Sequence, residues 1–258
     1  MHPLIAAVLG VVEGLTEFLP VSSTGHLILA SRLLGLAQTE FVKSFEIAIQ
    51  LGAIMAVVVL YRRTLFGDIE AMKRVIVGFI PTGILGLVLY KVVKRYLLGS
   101  DATVLWALFL GGIVLIAFEL LHKSAPGKDD DADVRKITYR QALVIGACQS
   151  LAMVPGVSRS AASVVGGLAQ GIDRRTTVRF SFLLAVPTML AATGLDLVKS
   201  RAAFASVDYV ALAIGTAVSF VVALAAVKFL LKYVRTHTFI PFGVYRIAAA
   251  LAFWALVK

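Results

Sequence analysis

The chain has 258 residues, of which 59% are hydrophobic and 16% are charged. Soluble domains carry roughly 25% charged residues, so this composition excludes an ordinary soluble protein, and its repeated apolar runs predict an all-α polytopic membrane protein. The net charge of +10 is attributed to loops that orient the chain and contact anionic lipids, with no nucleic-acid partner expected. A single cysteine, Cys148, excludes an internal disulfide and a cysteine metal cluster.

The first apolar segment, residues 4–37, is interrupted near its middle by the sequence GVVEGLTEFLPVSSTGH (10–26). Pro20 cannot continue a helix without strain, and the hydroxyl residues that follow it favour a new helix N-terminus. The segment therefore predicts a helix that breaks at Pro20, with carboxylates ending its first half and hydroxyls beginning its second. The hydroxyl residues are Ser22, Ser23 and Thr24.

Three ionisable side chains accompany this break. Glu13 and Glu17 are four residues apart and share one helix face, and His26 follows the hydroxyls. Ionisable groups at bilayer depth are costly and indicate function. Structural alternatives stand beside this interpretation: the carboxylates could pair with buried arginines, the hydroxyls could serve only as helix caps, and His26 could be a satisfied interior histidine.

Six further segments are long and apolar enough to cross a hydrocarbon core of about 30 Å. The predicted spans are 44–61, 75–93, 102–121, 180–198, 209–231 and 238–257. Residues 139–171 are also apolar but are interrupted at Pro155 and Gly156. No half of either interrupted segment is long enough to cross alone. Both are therefore interpreted as re-entrant helix pairs, which are tolerated where protein or a wet cavity surrounds them.

The two halves of the chain resemble each other across a polar linker at 122–136, whose acidic run lacks the spacing of a calcium loop. Val21-Ser22-Ser23 aligns with Val157-Ser158-Arg159, and Phe79-Ile80-Pro81 recurs as Phe239-Ile240-Pro241. We interpret residues 1–258 as one membrane domain made of two repeats, about 1–121 and 137–258. Each repeat has one re-entrant pair and three spans, and this odd number of crossings predicts an inverted repeat.

Lysine and arginine are concentrated in the loops 62–74, 122–179 and 232–237, which this count of spans places on one side of the membrane. The positive-inside rule assigns that side to the cytoplasm and both termini to the outside. The first re-entrant pair then enters from the outer face, and the second enters from the cytoplasm.

The second interrupted segment contains the sequence PGVSRSAAS (155–163). Gly156 permits a tight turn, and Arg159 lies at the predicted start of a helix, where backbone N–H groups favour an anion. A guanidinium there adds a bidentate partner for phosphate, although Arg159 could also reach a membrane interface by snorkelling. The neighbouring hydroxyls, at Ser158, Ser160 and Ser163, are further candidate ligands.

Together the two breaks suit a phosphate ester or a diphosphate, with a metal ion bridging carboxylate and phosphate oxygens. In the first full span Glu46 and Gln50 are four residues apart, and they either support the site from behind or are structural. Asp196, Lys199 and Arg246 are interpreted as packing or interface residues.

The two interrupted segments resemble those of a known family. EGLTEFLPVSSTGH (13–26) and PGVSRSAAS (155–163) look like the two signature segments of the undecaprenyl-diphosphatases, the bacitracin-resistance membrane phosphatases of bacteria. Segments 45–58, 180–190 and 239–246 are also similar, so the resemblance covers nearly the whole chain. It implies removal of the terminal phosphate of undecaprenyl diphosphate at the outer face of the cytoplasmic (inner) membrane. The product is the lipid carrier for peptidoglycan and other cell-envelope polymers.

The resemblance also implies a divalent cation, Mg²⁺ or Ca²⁺, and assigns residues by position. It gives catalytic roles to Glu13, Glu17, Ser23, His26 and Arg159, with the two acids as metal ligands. The residues around the two breaks predict substrate binding by Ser22, Thr24, Gly156, Ser158, Ser160 and Ser163. The family often has SRSGxT where this chain has alanines at 161 and 162 and a serine at 163. The nucleophile stays open between Ser23, His26 and water.

Two other classes of function are kept beside the phosphatase. Inverted repeats, broken helices and midplane charges are also signs of a secondary transporter or lipid flippase. A purely structural membrane scaffold is a third interpretation, but it leaves the buried acids without a role. The expected partners are the prenyl diphosphate and membrane lipids, and a homodimer is left open.

Overall fold

The computed structural model describes residues 1–37, 39–92, 101–122, 132–199 and 208–256. Over these ranges the chain forms α-helices and 3₁₀ turns without any strand, which confirms the all-α prediction. The helices are α1 (Pro3–Thr16), α2 (Ser23–Leu33), α3 (Glu40–Leu60), α4 (Arg62–Gly67), α5 (Ile69–Val92), α6 (Asp101–Leu121), α7 (Tyr139–Gln149), α8 (Arg159–Leu168), α9 (Arg174–Lys199), α10 (Tyr209–Tyr233) and α11 (Ile240–Leu256).

Five of these helices, α3, α5, α6, α9 and α10, are long and apolar enough to cross a membrane, so the protein is a multi-pass membrane protein. The sixth predicted span coincides with α11, whose 17 described residues rise about 25 Å. Both α5 and α9 begin earlier than predicted, at Ile69 and Arg174. The added residues include Glu70, Lys73 and Arg74 in α5 and Arg174 and Arg175 in α9, because a helix can continue past the apolar core into the basic end of the molecule.

Both predicted helix breaks are present. The first chain break follows Thr16, where the Glu17 amide still donates to the carbonyl of Glu13 at 2.9 Å, and α2 begins at Ser23. The second follows α7, which continues as a short 3₁₀ turn from Ser150 to Met153 before α8 begins. The longest of these four half-helices, α1, has 14 residues, about 21 Å of rise, so no half can cross the membrane alone.

Each broken segment packs closely on a long helix. Helix α1 of the first half lies on α10 of the second half, and α7 of the second half lies on α5 of the first half. A Cβ added at Gly10 would lie 2.6 Å from the Gly215 carbonyl oxygen of α10, and one added at Gly146 would overlap the Gly78 backbone of α5. Glycine therefore allows the helix backbones to touch at equivalent places in the two halves.

The halves also meet directly, since α3 packs on α9 and α6 packs on α11. Helices α3 and α9 follow the first and second broken segments, so they occupy equivalent places in the proposed repeats. The correspondence between Phe79-Ile80-Pro81 and Phe239-Ile240-Pro241 does not place the two segments in equivalent helices. Pro81 lies inside α5, whereas Pro241 lies in the first turn of α11, and these are different helices in the order of each half.

The basic loops lie together at one end of the helices. Arg74 Nε donates to the Ile137 carbonyl at 2.6 Å, and Arg179 Nη1 donates to the Ala132 carbonyl at 2.6 Å. These bonds join the start of α5 and the start of α9 to residues 132–137, at the described end of the linker. The remainder of the predicted acidic run, residues 129–131, lies outside the described residues.

Candidate active site

The turns that follow the two breaks meet in the interior of the protein. Ser160 Oγ, at the start of α8, donates to the Leu19 carbonyl in the first turn at 2.8 Å. Each turn ends on a serine with a left-handed backbone: φ is 74° at Ser22 and 72° at Ser158. For a residue with a Cβ this conformation costs about 1–3 kcal/mol. The same strain at equivalent positions indicates that both turns are held by the surrounding structure.

Glu17 is at the centre of this meeting point. Its Oε2 accepts a hydrogen bond of 2.5 Å from Ser23 Oγ. Its other oxygen, Oε1, accepts from Arg159 Nη2 at 3.1 Å and from Nε at 3.3 Å. The carboxylate is almost fully buried, so one acid from the first break binds both a hydroxyl and the guanidinium of the second break.

Arg159 is held in a fixed direction by three contacts. Besides Glu17, its Nη1 donates to the Ser181 carbonyl of α9 at 3.1 Å, and its guanidinium lies 5.8 Å from the centre of the Phe18 ring. A guanidinium has five N–H groups, and these bonds use three of them. The remaining donors are available to an anion beside Glu17.

The hydroxyls around Arg159 differ from those around Glu17. Ser158 Oγ accepts from the Ala161 amide at 3.2 Å and so caps α8, whereas Ser22 makes no capping bond to α2. Ser163 Oγ bonds to the Arg159 carbonyl at 2.9 Å and to Ser181 Oγ at 2.6 Å. The serines of the second break thus stabilise α8 and α9, and the uncapped helix N-terminus belongs to α2.

A small polar cavity of about 130 Å³ opens at this point. Its polar walls include most of the residues predicted to bind substrate, but Ser160 and Ser163 do not line it. The lining is Glu17, Ser22, Ser23, Thr24, Gln50, Ala152, Pro155, Gly156, Ser158, Arg159 and Met189. The structure therefore brings together the hydroxyls of the first break and the arginine of the second.

A larger, mainly apolar cavity of about 660 Å³ adjoins the polar one. The two cavities share Gln50, Ala152 and Arg159 in their walls. The larger cavity is formed mostly by side chains of α5 and α9, among them Phe79, Ile84 and Leu195. A ligand with a charged head and a long apolar tail fits two connected spaces of this kind.

Glu13 lies outside the cavity wall, fully buried next to Glu17. Neither of its carboxylate oxygens accepts a hydrogen bond from an N–H or O–H donor within the described ranges. Its carboxyl lies within hydrogen-bonding reach of the Glu17 carboxyl, and its charge also interacts with those of Glu46 and Arg159. The alternative in which this acid pairs with a buried arginine is not realised by a hydrogen bond there. An unpartnered buried carboxylate calls for a proton or a cation.

The two residues predicted to support the site differ in position. Glu46 Oε1 accepts from Ser31 Oγ at 2.6 Å and so links α3 to α2. Gln50 lines both cavities. Of this pair, Gln50 is the one placed to contact a ligand.

His26 does not line the polar cavity. Its Nδ1 lies 2.7 Å from the Ser22 carbonyl, and its Nε2 lies 2.8 Å from the Tyr245 hydroxyl, with the two rings stacked. A carbonyl can only accept, so Nδ1 carries the proton and donates to Ser22. In the neutral imidazole Nε2 then accepts from Tyr245. The histidine is arranged to hold the strained serine rather than to reach Ser23.

A sequence profile of the bacitracin resistance protein BacA family matches residues 6–252. The chain belongs to the BacA family. Among curated relatives, a protein of Sulfurihydrogenibium sp. is 52% identical over 254 residues, which are 98% of this chain and 99% of that protein. A relative from Aquifex aeolicus is 49% identical over 97% of this chain and 96% of its own length. One from Campylobacter hominis is 48% identical over the full length of both. All three are named undecaprenyl-diphosphatase.

Membership of the BacA family confirms the resemblance drawn from the two signature segments. The structure adds two adjacent residues of α11, Arg246, which was predicted to be a packing or interface residue, and Tyr245, for which no role was predicted. Tyr245 holds His26, and Arg246 is completely buried beside both turns. In the sequence, these two residues were indicated only by the presence of an arginine, Arg246, in the middle of an apolar helix.

Proposed function

We propose that this protein is an undecaprenyl-diphosphatase, which removes the terminal phosphate of undecaprenyl diphosphate and returns undecaprenyl phosphate to peptidoglycan and cell-envelope synthesis. The observation that carries the proposal is Glu17, which bonds Ser23 and Arg159 at the wall of a polar cavity. The names of full-length relatives at about half identity support the same substrate.

In the proposed mechanism Ser23 is the nucleophile and Glu17 is its base. The 2.5 Å bond from Ser23 Oγ to Glu17 is of the length and polarity needed for proton removal. The serine oxygen bonds to the terminal phosphorus, its proton passes to Glu17, and the bond from phosphorus to the bridging oxygen breaks. Undecaprenyl phosphate leaves with that oxygen. Water then hydrolyses the phosphoserine and restores Ser23.

The charge of the transferred phosphoryl group is stabilised from two directions. Arg159 supplies its two remaining N–H donors from the second break. Ser22, Ser23 and Thr24, at the N-terminus of α2, line the same cavity, and Ser22 makes no side-chain capping bond to α2. Ser158 already caps α8, so the N-terminus of α2 is favoured over that of α8 as the backbone phosphate site.

Glu13 and Glu17 would hold a divalent cation, Mg²⁺ or Ca²⁺. Glu13 supports a cation site here, because its two buried carboxylate oxygens accept no hydrogen bond from an N–H or O–H donor in the described part of the chain. No group of three or more potential metal-ligating side chains was found in those ranges, but Mg²⁺ is commonly bound by one or two carboxylates together with substrate phosphates. When bound, the cation supplies positive charge that stabilises the phosphate oxygens.

The prenyl chain would occupy the adjoining apolar cavity between α5 and α9 and leave laterally into lipid. We further propose six spans, with α11 as the sixth, and two re-entrant pairs related as an inverted repeat. The equivalent φ angles of Ser22 and Ser158 and the matched packing of α1 and α7 support this arrangement. The clustered basic loops support a cytoplasmic side opposite the site. The site would then open to the outer face of the bacterial cytoplasmic membrane, with both termini outside.

The deciding experiment uses the purified protein in detergent, where transport is impossible. Inorganic phosphate release from undecaprenyl diphosphate is measured with EDTA, Mg²⁺ or Ca²⁺, for the wild type, Ser23→Ala and the matched control Ser219→Ala. Ser219 is a buried serine of α10 outside both cavities. Phosphate release by the wild type and the control, but not by Ser23→Ala, is expected. No release by folded wild type would favour the transporter or flippase instead.

A further inference from the structure

Arg246 is the largest completely buried side chain of the described residues. It lies in α11, and within the described ranges it makes no ion pair with a carboxylate. A guanidinium removed from water must find an acceptor for each of its five N–H groups. Arg246 finds five backbone carbonyls instead of a counter-ion.

The five carbonyls belong to three different parts of the chain. Nη1 donates to Pro20 at 3.3 Å in the first turn and to Val157 at 3.0 Å in the second. Nη2 donates to Gly156 at 2.9 Å, again in the second turn. The remaining bonds go to α6, from Nη2 to Ala107 at 3.0 Å and from Nε to Leu108 at 3.3 Å.

These bonds end beside the strained serines. Pro20 is two residues before Ser22, and Val157 is directly before Ser158, the two positions with positive φ. The two turns are therefore bound to one rigid group at the points where the backbone would otherwise relax. Their separation sets the distance between Glu17 and Ser23 on one side and Arg159 on the other.

The space for this group is provided by α6. A Cβ at Gly111 would overlap Arg246 Nη2, and one at Gly112 would lie 3.2 Å from the Arg246 Cβ. The double glycine of α6 and the arginine of α11 are thus one arrangement, although 134 residues separate Gly112 from Arg246 in the sequence.

We propose that Arg246 is a positioning residue, which clamps the two re-entrant turns at a fixed separation and so assembles the active site. It does not line the polar cavity and does not touch substrate. Because this role rests on the proposed active site, its test needs a readout besides activity. It also needs variants that disturb the clamp in two independent ways.

The test compares Arg246→Met, Arg246→Lys and Gly111→Ala with two controls, Arg174→Lys and Gly194→Ala. Arg174 is a buried arginine bound to Glu119, away from both turns, and a Cβ at Gly194 meets no described atom within 4 Å. Gly111→Ala displaces the guanidinium without removing it. All proteins are compared by elution profile, melting temperature and steady-state phosphate release.

In Arg246→Met and Gly111→Ala we expect kcat to fall by about a hundredfold, the effect of a misplacement of about 1 Å. KM should change little, because substrate contacts remain. The kcat of Arg246→Lys, which has three donors in place of five, should lie between those of the wild type and Arg246→Met. The double variant Arg246→Met/Gly111→Ala should have a kcat no lower than that of the slower single variant. Both controls should retain wild-type kcat.

Hydrogen exchange of the amides at 21–26 and 156–162 provides the readout that does not depend on turnover. Faster exchange in both segments in Arg246→Met and Gly111→Ala, but not in the controls, is expected. Unchanged exchange, or wild-type kcat in folded variants, would overturn the clamp. If exchange rises in both turns while Ser23→Ala keeps its activity, the clamp stands and the assignment of the active site is wrong.

Discussion

Glu17 and Arg159, 142 residues apart in the chain, form a buried ion pair with 3.1 Å between Oε1 and Nη2. One residue belongs to the first broken segment, and the other belongs to the second. Neither segment alone contains both the carboxylate that binds Ser23 and the guanidinium suited to phosphate. The site therefore exists only where the two halves of the chain meet.

Loss of Ser23 should abolish the first chemical step. We expect Ser23→Ala to lower kcat by at least about a thousandfold, because a serine nucleophile and its base act as a unit. Ser22→Ala, which removes a cavity hydroxyl but no nucleophile, should cost about a hundredfold or less. Phosphate release by the purified variants measures both. Equal losses in the two variants would argue that water attacks phosphorus.

Arg159→Ala should lower phosphate release at least about a hundredfold, the lower end for a lost electrostatic donor. It should also lower the free energy of unfolding, by about 3–5 kcal/mol for a broken buried pair, because Glu17 loses its partner. Arg159→Lys keeps the charge but not the planar pair of donors, so intermediate activity is expected. Turnover and melting temperature are measured together. Near-normal turnover in Arg159→Ala would remove this residue from the mechanism.

His26 provides a test between positioning and proton transfer. The structure has Nδ1 donating to the Ser22 carbonyl, and the side-chain amide of asparagine can reproduce that donor. We expect His26→Ala to lose at least about a hundredfold in rate, while His26→Asn recovers a large part of it. Tyr245→Phe, which keeps the stacked ring but loses the hydroxyl, should have a smaller effect. If His26→Asn is no more active than His26→Ala, His26 acts as the acid or base instead.

Gly156 occupies a backbone conformation with φ of 97°, and a Cβ there would lie 2.6 Å from the Val104 carbonyl oxygen. Gly156→Ala should destabilise the protein by about 1–2 kcal/mol for the conformation alone, with the clash in addition. It should also displace the turn that carries Arg159. Thermal unfolding and turnover are measured beside Gly194→Ala, which should resemble the wild type. A stable, active Gly156→Ala would show that the turn can shift without consequence.

A Glu13 variant tests whether this residue binds the divalent cation. Glu13→Gln keeps the shape of the side chain but removes its charge. The cation concentration that gives half-maximal phosphate release should therefore rise at least about tenfold to a hundredfold, the loss typical even for a group that only orients a metal ligand. In EDTA the variant should be at least as stable as the wild type, because a buried charge without a partner is gone. An unchanged Mg²⁺ and Ca²⁺ dependence would exclude Glu13 as a ligand.

The order of residues in the sequence was enough to predict the membrane class, both helix breaks and most of the residues that line the polar cavity. Pro20 and the Pro155-Gly156 pair interrupt helices by local sterics, and hydroxyls begin helices by local hydrogen bonding, so these features depend only on near neighbours. The acids and Arg159 were recognisable because charge is costly in an apolar segment wherever it finally lies.

The tertiary structure decided which partner each group finds. Glu17 rather than His26 bonds Ser23, and Ser158 caps its helix while Ser22 does not. Ser163 turns towards α9. These choices depend on how the segments pack in three dimensions. The role of Arg246 depends on carbonyls of three segments converging on one buried guanidinium. No periodicity encodes such a convergence, because backbone carbonyls are present at every residue and only the packed fold determines which of them share a point.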